Sequence, residues 1–297
     1  MPPPRQVLAN TFYLLTRRCT QRQFLLRPDA ETNNAYLYCL IVAACSFQIE
    51  LMLMCAMSNH HHLVIFDRFG RYPEFIEHLH KLFARSQNAL RGRWENFWSS
   101  QPTSVVQLVD PADVLAELVY VACNPVNDDL VERVHHWPGV NGYRALLSGQ
   151  TIRAKRPRHF FRDDGPMPDA VEMRLSVPPE LGDANTFLRT FEQQVEATEL
   201  LAKQRRERAG LRVLGRREVL RQSWKAVPNS FEPRRTLNPR VAARNLWSRI
   251  EAIVRNKAFV RAYQAARASW RNGEEAEFPL GTYWLKRFAN VRVTAWA

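Results

Sequence analysis

The chain has no long apolar run and few cysteines. The first argues against a membrane-spanning protein, and the second against a fold held by disulfides. The most apolar stretch, residues 37–53, is interrupted by Ser46, Gln48 and Glu50, so we do not expect it to span a membrane. The first five residues lack the apolar segment of a signal peptide. The five cysteines are scattered without a Cys-x-x-Cys pair, which argues against a disulfide framework. We therefore expect a cytoplasmic protein with reduced thiols and no membrane partner.

Basic residues are concentrated in the C-terminal part of the chain, where the acidic residues do not balance them. Residues 171–297 carry a net charge of +11, whereas residues 1–170 carry only +2 of the total of +13. This asymmetry favours a polyanionic partner, most simply nucleic acid, and hence a nucleoid-associated protein. A basic protein without such a partner is the alternative. The sequence G-x-x-x-x-G-K-[ST] does not occur, so we do not expect the helicase domain of a replication initiator.

Hydrophobic periodicity divides the first 130 residues into short strands and helices in the order β-α-β-β-α-β-α. This order predicts an α+β fold with a ferredoxin-like antiparallel sheet, helices on one face and one added helix. The strands are expected at Asn10–Thr16, Ile49–Ala56, His60–Phe66 and Ser104–Val109, and the helices at Thr32–Ser46, Pro73–Arg91 and Asp110–Cys123. The last helix is expected to end or kink at Asn124-Pro125, because proline disrupts a helix.

The amino-acid composition changes near residue 165. Asp163–Asp169 is rich in Asp, Pro and Gly and is interpreted as a linker. We expect one domain at residues 1–165 and a basic, mainly helical extension at 166–297 that binds DNA. Long amphipathic helices are expected within it at Ala184–Ala209 and Arg240–Ala268.

Three consecutive histidines open the third predicted strand. Side chains at i and i+2 of a strand share a face, so His60 and His62 are expected to project side by side. Two imidazoles in this arrangement can bind one divalent metal ion. His61 is expected on the opposite face. Histidines that bind no metal, buried or at the surface, are the alternative.

A tyrosine and an asparagine lie four positions apart on the predicted helix that follows. An i, i+4 pair shares one helix face, so Tyr120 and Asn124 are expected to face the same site. Of the eight tyrosines, only Tyr120 is followed at i+4 by a neutral or acidic oxygen ligand. Two imidazoles, an amide and a phenol suit metal-assisted phosphodiester cleavage by tyrosine. Alternatively, Tyr120 is a core or rim aromatic and Asn124 ends the helix.

Two basic segments are candidates for contact with nucleic acid. One is a turn that follows the first strand, and the other combines arginines with tryptophans, which can hold phosphates and stack bases. A charged turn and a solvated loop are the alternatives. The candidate DNA-binding residues are Arg17, Arg18, Arg22, Arg91, Arg93 and Trp94.

Four motifs in order resemble those of single-tyrosine HUH transposases of the insertion-sequence-200-like superfamily. Residues 57–63 (MSNHHHL) resemble the M-[PS]-N-H-x-H-L signature, and residues 118–126 (LVYVACNPV) resemble the Y-x-x-x-N-P-[VL] segment. Residues 16–26 resemble the N-terminal strand and loop, and residues 137–143 (WPGVNGY) resemble the W-S-S-Y type segment. The spacing of 58 positions from His62 to Tyr120 also fits. An Asn four residues after the tyrosine indicates the REP-associated tyrosine transposase branch. The match covers roughly residues 8–150.

The resemblance implies a nuclease that acts on single-stranded or hairpin DNA as a monomer or homodimer. It implies Mg²⁺ or Mn²⁺ at His60, His62 and Asn124, and attack by Tyr120 that gives a 5′-phosphotyrosine and a free 3′-OH. Two features depart from the family pattern: His61 replaces a residue that is usually apolar, and Asn127–Asp129 is acidic where the family is usually basic. A domesticated, non-catalytic DNA-binding protein is therefore the alternative.

Overall fold

The computed structural model describes residues 4–230 and 239–295. Residues 1–3, at the N-terminus, and residues 231–238 and 296–297, in the predicted extension, lie outside the described residues. The strands are β1 (Thr11–Arg18), β2 (Glu50–Ala56), β3 (His60–Asp67), β4 (Ser104–Leu108), β5 (Ile152–Lys155), β6 (Ala170–Met173), β7 (Val241–Ala242), β8 (Glu277–Phe278) and β9 (Arg292–Val293). The helices are α1 (Ala30–Phe47), α2 (Tyr72–Arg91), α3 (Pro111–Asn127), α4 (Tyr143–Ser148), α5 (Ala184–Ala209), α6 (Arg216–Arg221), α7 (Leu246–Arg271) and α8 (Trp284–Ala289).

The central sheet has five strands in the order β2-β3-β1-β4-β7. The first four pair antiparallel, whereas β7 pairs parallel with β4 through only two residues. The expectation of an antiparallel sheet is therefore corrected to a mixed one. The fifth strand comes from the C-terminal part of the chain, where a two-residue strand carries no detectable alternation of apolar residues.

Helices pack on both faces of the sheet, which corrects the expectation of helices on one face. His61 of β3 contacts Tyr36 of α1 and His80 of α2, and α1 and α2 pack against each other. His62, the next residue, contacts Asn124 of α3 across the other face. Because successive strand residues point to opposite faces, α3 lies on the side opposite to α1 and α2.

Helix α3 continues through Pro125 to Asn127, so the expectation that it ends or kinks at Asn124-Pro125 is wrong about the end. The helix begins with a capping box in which Asp110 and Asp113 exchange hydrogen bonds with each other's backbone N–H groups. Several of its apolar residues, including Val121 and Val126, are completely buried. This burial outweighs the single helical hydrogen bond that the missing proline N–H removes.

The C-terminal part of the chain packs against the N-terminal part at several points. Helix α5 runs alongside α3, and Arg206 Nη1 lies 3.3 Å from the Asp129 carboxylate. Strand β6 pairs with β5, and the connection between them includes Asp163–Asp169, the predicted linker. The division of the chain at residue 165 stays a prediction.

Helix α7 begins at Leu246 rather than at Arg240. Asn245 caps it, because its Oδ1 accepts hydrogen bonds from the N–H groups of Trp247 and Ser248. Within residues 4–230 and 239–295, no helix is both long and apolar enough to cross a membrane.

Candidate active site

Strand β3 presents two of its three histidines on the face covered by α3. The turn before it is closed by a hydrogen bond of 2.9 Å from the Met57 N–H to the His60 carbonyl oxygen. The ring centroids of His60 and His62 lie 4.8 Å apart, with the rings nearly perpendicular. The two imidazoles are therefore close enough for both to reach one metal ion.

The His62 ring is held by its neighbour in strand β1. The Thr16 hydroxyl lies 2.9 Å from His62 Nδ1, because these two residues are directly opposite in the antiparallel pair. Burial lowers the pKa of His62 well below its ordinary value, so the ring is neutral at neutral pH. With its proton on Nδ1, His62 keeps the lone pair of Nε2 for a metal or for the nearby Asn124 amide.

The His60 ring is less buried than that of His62. Its Nδ1 lies 2.7 Å from the Asn59 side-chain oxygen. The Asn59 amide also donates to the Arg22 carbonyl oxygen, which fixes the turn against the loop after β1. Outer hydrogen bonds of this kind orient a histidine ligand.

Helix α3 places Tyr120 and Asn124 over the two histidines. The Tyr120 ring centroid is 5.4 Å from that of His62, and the side chain is 44% exposed. Asn124 is only 5% exposed, and its amide nitrogen lies 3.5 Å from His62 Nε2. Residues from two elements far apart in sequence therefore meet in one site, and its tyrosine is open to solvent.

One buried polar atom at this site has no partner. Among the described residues, Asn124 Oδ1 makes no hydrogen bond although it is shielded from solvent. An unpaired buried carbonyl oxygen is unfavourable, and such an exception in a folded protein calls for a ligand or another functional reason. A cation bound between His60, His62 and Asn124 would satisfy it.

The donor set fits a weakly held divalent ion. Across residues 4–230 and 239–295 no three His, Cys, Asp or Glu side chains cluster as a metal site, so the candidate set depends on an amide oxygen as its third ligand. Amide oxygens and imidazoles are both ligands of divalent cations. With no carboxylate or thiolate in the set, the ion is expected to exchange.

The charges around Tyr120 are mixed. Burial raises the pKa of the phenol, and the Asp128 and Glu117 carboxylates raise it further, whereas the Asn124 hydrogen bond and Arg18 lower it. Arg18 is exposed and directly opposite His60 in the strand pair, so it belongs to the same face. Tyr120 is therefore a neutral phenol in the free protein, with the Arg18 guanidinium nearby.

Three of the other predicted DNA-binding residues, Arg17, Arg91 and Trp94, lie away from this face. Arg17 is on the opposite face and donates to the carbonyl oxygens of residues 99 and 101. Arg91 is buried and donates to Thr32 and to the Leu25 carbonyl oxygen. Trp94 is 93% exposed. The site thus includes Arg18 but neither Arg17 nor Arg91.

A segment of the C-terminal part lies against the remaining basic residues. Arg22 donates to the Ser230 carbonyl oxygen at 2.7 Å, and the guanidinium groups of Arg91 and Arg93 lie over the Trp224 ring. Sequence reasoning missed this contact, because nothing in the local pattern indicates that residues 224 and 230 meet the N-terminal arginines. It missed Thr16 for a related reason, since the register of two strands does not follow from their separate sequences.

The reverse face of β3 has a different organisation. Tyr36 Oη lies 2.8 Å from His61 Nδ1, and His61 Nε2 lies 3.0 Å from His80 Nε2. Burial lowers the pKa of His80 to about 3 and that of His61 well below its ordinary value, so both rings are neutral. Donation from Tyr36 to His61, and from His61 to His80, then satisfies all four ring and hydroxyl atoms in these contacts.

Comparisons with known proteins find structural similarity over only part of the chain. No family model matches the chain, and no curated protein matches it. Among solved structures, it resembles a REP-associated tyrosine transposase bound to a REP hairpin, with a TM-score of 0.43 and 16% identity over 50% of this chain and 87% of that chain. It also resembles a "putative transposase" from Deinococcus radiodurans R1, with a TM-score of 0.30 and 18% identity over 39% of this chain and 93% of that chain.

Proposed function

We propose that this protein is a metal-dependent DNA-nicking and strand-transfer enzyme of the single-tyrosine HUH transposase type, acting on single-stranded or hairpin DNA. One observation carries the proposal. His60 and His62 from β3 meet Tyr120 and Asn124 from α3, and the Asn124 side-chain oxygen is buried without a partner. The proposal includes a ferredoxin-like core, which the element order and the strand order β2-β3-β1-β4 support.

The proposed reaction is a transesterification at phosphorus. The Tyr120 oxygen forms a bond to the phosphorus atom, and the bond from phosphorus to the 3′ oxygen breaks. The phenol loses its proton and the 3′ oxygen gains one, which leaves a 5′-phosphotyrosine and a free 3′-OH. The energy of the phosphodiester is kept in the phosphotyrosine, so the 3′-OH of another strand can attack it without ATP.

Each side chain of the site has a separate role in this reaction. Mg²⁺ or Mn²⁺, held by His60, His62 and Asn124, would polarise the scissile phosphate. Thr16 keeps the His62 ring in place through its 2.9 Å contact with Nδ1. Arg18 supplies a positive charge on the same face, where a phosphate would approach Tyr120.

The acidic residues near Tyr120 favour the second candidate, a domesticated protein that binds DNA without cleaving it. Asp128 and Glu117 both raise the pKa of the Tyr120 phenol, which makes it a weaker nucleophile before DNA and metal bind. Carboxylates beside the tyrosine also repel a phosphate.

Replacement of Tyr120 by phenylalanine separates the two functions. We expect purified protein to form a covalent adduct with labelled hairpin DNA from the sequences flanking its gene, in Mn²⁺ but not in EDTA. Tyr120→Phe should abolish the adduct on a denaturing gel and preserve DNA binding, because only the nucleophilic oxygen is lost.

Tyr263→Phe is the matched control, since Tyr263 lies on α7 against Phe259 and Phe278. It should form the adduct as the parent does. DNA binding without an adduct in any metal would favour the non-catalytic function instead, and an adduct that survives Tyr120→Phe would reject Tyr120 as the nucleophile.

A further inference from the structure

A large groove lies on the side of the sheet opposite to Tyr120. It has a volume of about 720 Å³ and is formed by α2, by residues 94–103 and by Trp284 of α8. Arg17 and His80 are part of its wall, and both belong to the face of the sheet that carries His61. The groove is therefore separate from the candidate active site.

Three tryptophans line this groove, which we call the tryptophan groove. Trp98 is nearly buried, and its indole is fixed by a 2.9 Å hydrogen bond from Nε1 to the His80 carbonyl oxygen. Phe97 packs against it with ring centroids 4.7 Å apart. Trp94, by contrast, is 93% exposed, and Trp284 is 41% exposed. A rigid aromatic wall beside an open indole suits a planar aromatic ligand.

The charged residues of the groove carry a small positive excess. Arg17, Lys81 and Arg85 line it, against Glu77 and Glu95. The Glu77 carboxylate pairs with Lys81 within α2. The Arg17 guanidinium donates to carbonyl oxygens, which leaves its positive charge available to an anion.

Two polar atoms of the lining residues are shielded from solvent and lack a hydrogen-bond partner within the described part of the chain. They are Arg17 Nε and Asn88 Oδ1. One is a donor and the other is an acceptor. A ligand with both a polar edge and an apolar ring face matches such a lining better than a purely apolar ligand does.

We propose that the tryptophan groove binds an unpaired stretch of the DNA, with a base stacked on Trp94 and the flanking phosphates near Lys81 and Arg85. Single-stranded nucleic acid is bound elsewhere by this combination of aromatic platforms and positive charge. The choice of DNA as the ligand rests on the proposed function, whereas the groove itself does not include Tyr120. Strand β3 lies between the two sites, since His80 of the groove wall contacts His61.

The test measures binding without cleavage. In the Tyr120→Phe protein, we expect fluorescence anisotropy to give an affinity for labelled oligodeoxythymidylate of about 16 nucleotides that falls roughly tenfold on Trp94→Ala. Arg85→Ala should reduce the slope of log affinity against log salt by about 0.7, because it removes one phosphate contact with a single strand. Trp94 is almost fully exposed, so its truncation should leave the fold intact.

Two controls make the result specific. Phe69→Ala removes another exposed aromatic ring, 52% exposed between β3 and α2, and should leave the affinity unchanged. A blunt duplex should bind the Trp94→Ala protein as well as its parent, since its bases are already stacked. Unchanged single-strand binding in Trp94→Ala, or an equal loss in Phe69→Ala or for the duplex, would overturn the proposal.

This test is independent of the one for catalysis. If no covalent adduct forms but Trp94→Ala still weakens single-strand binding, the groove stands as the DNA site of a non-catalytic protein. If Tyr120 forms the adduct but Trp94→Ala binds normally, the enzyme stands and the groove proposal fails.

Discussion

Both faces of strand β3 carry histidines. The polar atoms around the histidine are all hydrogen-bonded on one face, and those on the other face are not all bonded. On the α1–α2 face, His61 is joined to Tyr36 and His80, and all three side chains are buried. On the α3 face, His60 and His62 lie beside the exposed Tyr120 and beside Asn124, whose oxygen has no partner.

Among three consecutive histidines, His61 therefore belongs to a structural network, whereas His60 and His62 belong to the candidate active site. A buried polar network in which every atom is paired stabilises one packing arrangement, and adding a ligand to it would break a bond. A site with an unpaired carbonyl oxygen at Asn124 and an exposed tyrosine can form further bonds. The unpaired Asn124 oxygen, rather than histidine itself, distinguishes the candidate active site from the network around His61.

The largest effect is expected from the open face. His62→Ala removes a metal ligand and should lower the rate of adduct formation at least roughly 100-fold, about 3 kcal/mol, because metal stabilisation of the transition state is worth several kcal/mol. Its free energy of unfolding should fall by about 2 kcal/mol, since the Thr16 contact, a weak amide contact and the packing of a buried ring are lost. Adduct gels and urea unfolding measure the two quantities.

His136→Ala is the control for His62→Ala, because His136 is exposed and lies outside both faces of β3. It should match the parent in both measurements. A His62→Ala protein that cleaves normally, or that loses most of its stability, would remove the distinction between the two faces.

The next effect belongs to the closed face and concerns stability. His61→Leu leaves the Tyr36 hydroxyl and His80 Nε2 buried without a partner, so we expect a loss of about 2 kcal/mol in the free energy of unfolding. Cleavage should fall much less than in His62→Ala. Urea unfolding followed by circular dichroism measures the loss.

A double variant checks the reason for that loss. Adding Tyr36→Phe to His61→Leu removes the unpaired hydroxyl. The double variant should recover about 1 kcal/mol in the free energy of unfolding relative to His61→Leu alone. If the double variant is less stable than the single one, the loss arises from packing, and the hydrogen-bonded network is not what holds this face.

The smallest expected effect comes from the residue that orients the open face. Thr16→Val keeps the shape of the side chain but removes its contact with His62 Nδ1. We expect the Mn²⁺ concentration for half-maximal adduct formation to rise about tenfold, because outer partners of histidine ligands contribute on this scale. Saturating Mn²⁺ should restore most of the rate.

Thr11→Val, at the far end of the same strand, is the matched control, since its hydroxyl donates to the Ala9 carbonyl oxygen instead. It should leave the Mn²⁺ dependence unchanged. A Thr16→Val protein with a normal Mn²⁺ requirement would mean that the His62 ring is oriented by its surroundings without Thr16.

The sequence predicted local structure better than long-range contacts. The strands and helices of the first 130 residues begin and end within about three residues of their predicted bounds, except that α3 continues four residues past Cys123. The proline rule failed there because Pro125 is on a buried helix end, where packing decides. Strand alternation indicated that His60 and His62 share a face, but Thr16 opposite His62 required the register.

Charge counting showed the same limit. The excess of basic residues after residue 170 was interpreted as a surface for DNA, which assumes that these side chains face solvent. Arg206 is instead 5% exposed and contacts Asp129, and Arg205 contacts the same carboxylate while it stays exposed. The contact also compensates part of the acidic stretch Asn127–Asp129, the segment that departs from the family pattern. A sum over the sequence does not distinguish inward from outward charges.

The short strand β7 has a consequence for shortened forms of this protein. It covers the ends of β4 at Gln107 and Leu108, and Arg5 reaches the Val105 carbonyl oxygen beside it. A chain cut at residue 165 would retain β4 but lose β7, which exposes backbone groups able to pair with another molecule. Self-association through this edge, followed by loss from solution, is the first behaviour to expect of such a fragment.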